Sequence, residues 1–421
     1  MRKNKGITLI ALIITIIILL ILIGVSINLA IKGDLFGSAK KAVSGTNAKV
    51  SEQQTRVDEL MGELNEIEEQ QKEQEESEKQ KNLPGTRVTE NTKYVNGGKT
   101  ALIPAGFTVS KAEGETTIDG GLVIYLINDK TDEEIKNLTW TGTELENLKK
   151  TYDQFVWIPI SHEQINNMFI CQAKTGNNGN CNITVENGVA KCTVHNSTQM
   201  AGRLYATSTG ENYKKAYTEV YTANTGLREP DVVTGAKCDV VGIGYISTVT
   251  GDGASYVSLE KFKETLQTEY NEIVACVYNA GGYYVGRYET SNITTTKGTT
   301  VNIVAGTNPT ISRLQWYYMY AQQKVYAENK NLGNKVKSSM ILGTCHDQML
   351  EFVNVAGKYN VTIAENVEHS FSSTYNTGSQ NTDMSKNIYD LEGNVYEWTT
   401  EAYDTNTRVS RGRHFLQQRF C

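Results

Sequence analysis

Two groups of residues in this 421-residue chain have the types and spacing that chemistry requires. One is a set of seven cysteines: Cys171, Cys181, Cys192, Cys238, Cys276, Cys345 and Cys421. The other is the run NIYDLEGNVYEW, Asn387 to Trp398. A zinc centre asks for paired thiolates or imidazoles at close spacing, but the chain has no CxxC pair and its five His residues are scattered. Cys171, Cys181 and Cys192 are near enough in sequence to supply one disulfide if the domain lies outside the cell. Cys238, Cys276 and Cys345 read as small buried residues. In the second group Gly393 permits a turn that other residues resist. Asn394 is suited to bonding backbone groups, and Tyr396 and Trp398 alternate with Val395 and Glu397 as on a strand. Local capping or pairing accounts for Glu397 without a ligand. This run therefore reads first as scaffold.

The elements that carry these residues are of mixed type. Strands are expected in KTALIPAGFTVS, GGLVIYLIND, DQFVWIPIS and GGYYVGRYET, which are short β-branched and aromatic runs bounded by Gly, Asp or Ser. Helices are expected in SLEKFKETLQTEYNEIVACVYNAGG, ISRLQWYYMYAQQKVYAENK and SSMILGTCHDQMLEFVNV, where apolar residues recur at helical spacing. Tyr317, Tyr318 and Tyr320 offer an aromatic contact surface, although a helix carrying three Tyr also packs them into a core. A polar insert, about 166–253, separates the opening strands from the first helix. No internal repeat appears, and the fold class is α+β. Net charge is −6 and no long basic patch exists, which excludes nucleic acid as a partner.

The beginning of the chain differs in kind. From Gly6 to Ile31 no residue is charged, 26 positions against the ~20 that cross a bilayer. A basic leader (1–6) with Arg2, Lys3 and Lys5 sets the N-terminus in the cytoplasm, so a single-pass helix (7–31) puts everything after Lys32 outside. A stem or linker comes next (32–82). There Val50, Val57 and Leu64 lie seven apart, with Leu60 and Ile67 three beyond two of them, a short heptad seam. It reads equally as a site of self-association and as a solvated spacer reaching ~45 Å over Ser51–Lys81. LPGT, Leu83 to Thr86, ends it and opens the outer domain (83–421).

Two resemblances add to this reading. The leader, Gly6 and the apolar run ITLIA resemble the N-terminus of type IV prepilins and pseudopilins. That resemblance implies cleavage between Gly6 and Ile7 and methylation of the new amine. Ala11 stands where the family carries a Glu associated with filament assembly. NIYDLEGNVYEWT, with VGRYE, FVWIPI and RVSRG (Arg408 to Gly412), resembles the formylglycine-generating-enzyme-like sulfatase-modifying domain, a variant of the C-type lectin fold. This second resemblance covers roughly Lys99 to Gly412, with the insert poorly matched. It implies a structural calcium ion held by the carboxylates of Asp390 and Glu397 and the carbonyls of Gly393 and Val395. Oxidase members hold copper with two Cys just beyond RVxRGG. Here Arg413 replaces the second Gly, Gln417 falls on the first Cys, and Cys421 ends the chain about where the second would lie. The family continues through further strands, so the C-terminus reads as shortened. These departures lead to an expectation of no copper and no catalytic residues. The function expected is a binding or display module at a bacterial cell surface, anchored in the membrane and facing an extracellular protein or glycan. A sulfatase-modifying oxidase and a minor pilin or pseudopilin are the alternatives.

Overall fold

The computed structural model describes residues 80–171, 179–193, 200–202, 259–291, 301–309, 316–353, 375–379, 384–391, 394–395, 397–402 and 408–411, and a few positions between 55 and 67. The expected membrane helix, with Gly6 and Ile7, lies outside them. Among the described residues no helix is long and apolar enough to cross a membrane. The chain divides into two compact units, Met1–Ser77 and Glu78–Cys421. In the first, Thr55, Arg56, Asp58, Met61, Gly62 and Asn65 to Ile67 are helical and exposed.

The second unit mixes helix and strand. In order come β1 (Thr92–Asn96), β2 (Lys99–Ile103), β3 (Thr108–Val109), α1 (Ile118–Gly121), β4 (Val123–Tyr125), α2 (Asp132–Lys136), α3 (Gly142–Thr151), β5 (Gln154–Pro159) and α4 (His162–Met168). Next are the short strands β6 (Phe169–Cys171), β7 (Gly179–Asn180), β8 (Ile183–Glu186), β9 (Val189–Cys192) and β10 (Met200–Gly202). Then come α5 (Leu259–Ala280), β11 (Gly282–Gly286), α6 (Trp316–Lys324), α7 (Tyr326–Asn329), α8 (Gly343–Val353), β12 (Glu397–Ala402) and β13 (Arg408–Arg411).

The centre is a four-stranded antiparallel sheet in the order β11-β5-β4-β3. Both faces are covered, which is why GGLVIYLIND and FVWIPI read as continuous apolar runs without alternation. Val123, Tyr125, Val156 and Ile158 pack on one side with Trp140, Leu148, Met349, Val353 and Ile388. Ile124 and Trp157 pack on the other with Leu83, Val88, Ile103 and Phe107. Side chains that alternate across a strand thus feed two cores. The short helices α2 and α4 start at capping boxes, Thr131 with Glu134 and Ser161 with Gln164.

Part of the polar insert is folded onto α5. Phe169, Ile183 and Ala190 pack with Tyr270, Val274 and Val277 in one buried cluster. The β8–β9 hairpin turns on Asn187 and Gly188, both at positive φ, as a two-residue primed turn demands. Cys192 on β9 is disulfide-bonded. Cys345 is buried as the sequence suggests, whereas Cys276 is exposed on α5, contrary to that reading. Cys238 and Cys421 lie outside the described residues.

Candidate functional site

Among the described residues of the run Asn387–Trp398, the side chains of Asn387, Asp390 and Asn394 turn inward and bond to the rest of the fold. Asn387 sits in the left-handed region at φ +65°, which Asn tolerates at low cost. There its Nδ2 donates to the carbonyls of Gly121 (2.7 Å), Gly114 (2.9 Å) and Gly120 (3.3 Å). One side chain near the C-terminal end of the fold thereby ties down a loop some 270 residues earlier. The approach is so close that a Cβ on Gly121 would lie 2.0 Å from the Lys386 carbonyl oxygen. Ile388 is buried in the core. Tyr389 stacks on Tyr288 with ring centres 5.1 Å apart, and its N–H donates to the Arg287 carbonyl at 2.9 Å.

Asp390 is fully buried, with φ +59°. Its Oδ2 accepts the Gly378 N–H at 2.9 Å. Gly378 itself is at φ +64°, and a Cβ there would meet the Tyr288 ring at 2.3 Å. Asn394 completes the turn. Its Nδ2 donates to Glu289 Oε2 (2.6 Å) and to the Tyr375 carbonyl (3.1 Å), and its Oδ1 accepts from the Tyr375 N–H (3.1 Å). The Val395 N–H donates to Glu289 Oε1 at 3.0 Å. Both oxygens of one buried carboxylate thus hold the turn, as charge-assisted bonds.

Glu289 belongs to VGRYE, and its neighbour Arg287 anchors that segment. Arg287 is 1% exposed. Its guanidinium pairs with Glu115 at 2.8 Å and donates to Gln154 Oε1 at 3.1 Å and to the Tyr125 hydroxyl at 3.2 Å. Burial works against its charge, but Tyr288, Glu115 and Tyr125 outweigh burial and hold it above the ordinary arginine range. Burial, with Glu115 next, pushes the Tyr125 phenol well above its usual value. A second buried carboxylate, Asp153, accepts from the Ile303 N–H (2.7 Å), the Tyr326 hydroxyl (2.6 Å) and the Lys330 ammonium (2.6 Å).

The residues expected to hold calcium differ in their surroundings. Asp390 is buried, Val395 lies in the clamped turn, and Glu397 opens β12 opposite Arg411. Gly393 lies outside the described residues. Donors of this kind, carboxylates and backbone carbonyls, are oxygen only. They suit a hard cation such as calcium and do not suit copper(I). Among the described residues no group of three or more His, Cys, Asp or Glu side chains gathers to hold a metal. Asp390 and Glu397 are the carboxylates that would hold such an ion, and it would supply compensating positive charge to them. The aromatic surface is reduced, since Tyr320 is 4% exposed and its hydroxyl donates to Glu269. The side chains of Tyr317 and Tyr318, like Gln417, lie outside the described residues.

The sequence pattern points to Asp390 and Glu397 and passes over Glu289, Arg287 and Glu115. A carboxylate and a guanidinium two positions apart on a strand end were the available signal, since such groups are buried only when paired. No family model, curated protein or solved structure matches this chain.

Proposed function

We propose that this chain is a membrane-anchored, outward-facing binding or display module, built on a lectin-like scaffold of the sulfatase-modifying type and without catalytic turnover. The observation that carries this reading is the inward direction of Asn387, Asp390 and Asn394 in NIYDLEGNVYEW. Asn387, Asp390 and Asn394 are each bonded to backbone or to Glu289 within the fold. Such groups hold a frame, and chemistry would have to come from elsewhere. Gln417, an amide at the position of the family's first copper thiolate, supplies none of it. The disulfide at Cys192 fits an oxidising compartment outside the membrane. The uncharged run Gly6–Ile31 behind a basic leader provides the anchor, with maturation between Gly6 and Ile7.

Calcium at Asp390, Gly393, Val395 and Glu397 is the structural ion of this proposal. The ligand is an extracellular protein or glycan. Protease added to intact cells tests the arrangement: it should release fragments that begin after Lys32. Complete protection of the region beyond Lys32 refutes the outward orientation. A membrane-bound chain that retains Met1–Gly6 refutes the processing step.

A further inference from the structure

β1 and β2 form a two-stranded sheet of their own. They close on Asn96 opposite Lys99, across Gly97 and Gly98, both at positive φ. In an antiparallel ladder the N–H and C=O of one residue point to the same side, and successive residues point to opposite sides. With Asn96 bonded across to Lys99, Tyr94 also turns its backbone groups toward β2. Lys93 and Val95 turn theirs outward, along the free edge of β1. Val95 adds an apolar side chain that is 47% exposed.

Among the described residues, one side chain covers that edge. Gln80 Oε1 accepts from the Val95 N–H at 2.9 Å, and Gln80 Nε2 donates to the Lys93 carbonyl at 3.0 Å. These are the two groups that a neighbouring strand would take. One carboxamide thus stands in for one residue of a third strand. We infer that Gln80 is an edge guard, occupying the pairing position on β1 and keeping a second copy of this chain from adding there through its own β1.

The occupant is set by the symmetry of the edge. A two-fold axis opposite Tyr94 sets each Val95 N–H on the other copy's Lys93 carbonyl, so the bare edge is self-complementary. Uncovered strand edges are templates for such pairing, and native proteins block them. The Lys93 charge opposes the pairing but leaves the backbone groups in place.

Gln80→Ala and Gln80→Glu in the full chain, in detergent, test the inference. Amide exchange at Val95 and molar mass against protein concentration are read for each. In Gln80→Ala at low concentration Val95 should exchange about three- to tenfold faster, the equivalent of one net hydrogen bond, while Tyr94 is unchanged. On concentration its mass should move toward a doubled chain beyond anything the unsubstituted protein shows. Gln80→Glu keeps the acceptor for Val95 and should leave that amide slow. Unchanged Val95 exchange in Gln80→Ala overturns the cap. Faster exchange with the same mass as the unsubstituted protein at every concentration overturns the guarding role.

Discussion

Asn387 offers the sharpest test of the scaffold. Its Nδ2 carries two hydrogens shared among three glycine carbonyls, the closest at 2.7 Å and buried. Asn387→Ala leaves the buried Gly121 carbonyl unpaired, at about 1–3 kcal/mol, and weakens its neighbours by about 1 kcal/mol more. Alanine also resists φ +65°, adding about 1 kcal/mol. The sum is a loss of about 3–5 kcal/mol, a large share of the ~5–15 kcal/mol that stabilises a typical domain. Asn387→Asp keeps the volume but turns an oxygen toward three carbonyl oxygens. At neutral pH it should lose at least as much as Asn387→Ala. At acid pH, where the carboxyl regains a proton to donate, it should recover part of the loss relative to Asn387→Ala. Urea unfolding of each variant at both pH values reads these differences. A loss below about 1 kcal/mol in Asn387→Ala, no more than one ordinary hydrogen bond, refutes the idea that this side chain ties the two ends of the fold together.

Gly378→Ala should cost about 2–4 kcal/mol, because its Cβ would sit 2.3 Å from the Tyr288 ring on a positive-φ backbone. Thermal melting checks this, and a Tyr288→Ala background should relieve the steric part. Burial raises the phenols of Tyr125, Tyr284 and Tyr288 above the ordinary 10.0. Their folded forms therefore keep protons that the unfolded chain loses, so stability is intact below about pH 10 and falls as pH rises above it. Urea midpoints across that range, with phenolate absorbance recorded alongside, should show unfolding and ionisation together. If Asp390 and Glu397 hold calcium, ion at about 100 times its dissociation constant adds about 2.7 kcal/mol. Melting should then drop in EGTA, and Glu397→Gln should erase the difference. Identical curves with and without chelator leave Glu397 a local contact.

Much of the frame was legible because its signals are local. β-branched runs bounded by Gly and Ser gave β4 and β5, and apolar residues at helical spacing in SLEKFKETLQTEYNEIVACVYNAGG gave α5, where Tyr270 is buried. Asn394 was legible as a residue that bonds neighbouring backbone, and it does so at Tyr375. Bonds between residues far apart in sequence lay hidden. Nothing near Glu289 announces that Asn394, 105 residues later, will take its carboxylate. The Asn387 contact to Gly114 spans 273 residues and is equally silent. The β8–β9 turn was different: Asn187-Gly188 between β-branched residues is a strong hairpin signal, hidden by the polar composition around it. Gln80 carries no local signal, because its bonds to Lys93 and Val95 depend on an edge that only the hairpin register defines.

The most direct test of the account is an assay for chemistry on the full purified chain. It is loaded with copper(I), supplied with oxygen and a reductant, and given a Cys-containing sulfatase peptide whose mass is followed. The account predicts no tight copper binding and no conversion of the peptide cysteine to formylglycine, in a protein shown by its cooperative melting to be folded. Turnover of the peptide by this chain, dependent on copper, contradicts the account and makes the chain an enzyme.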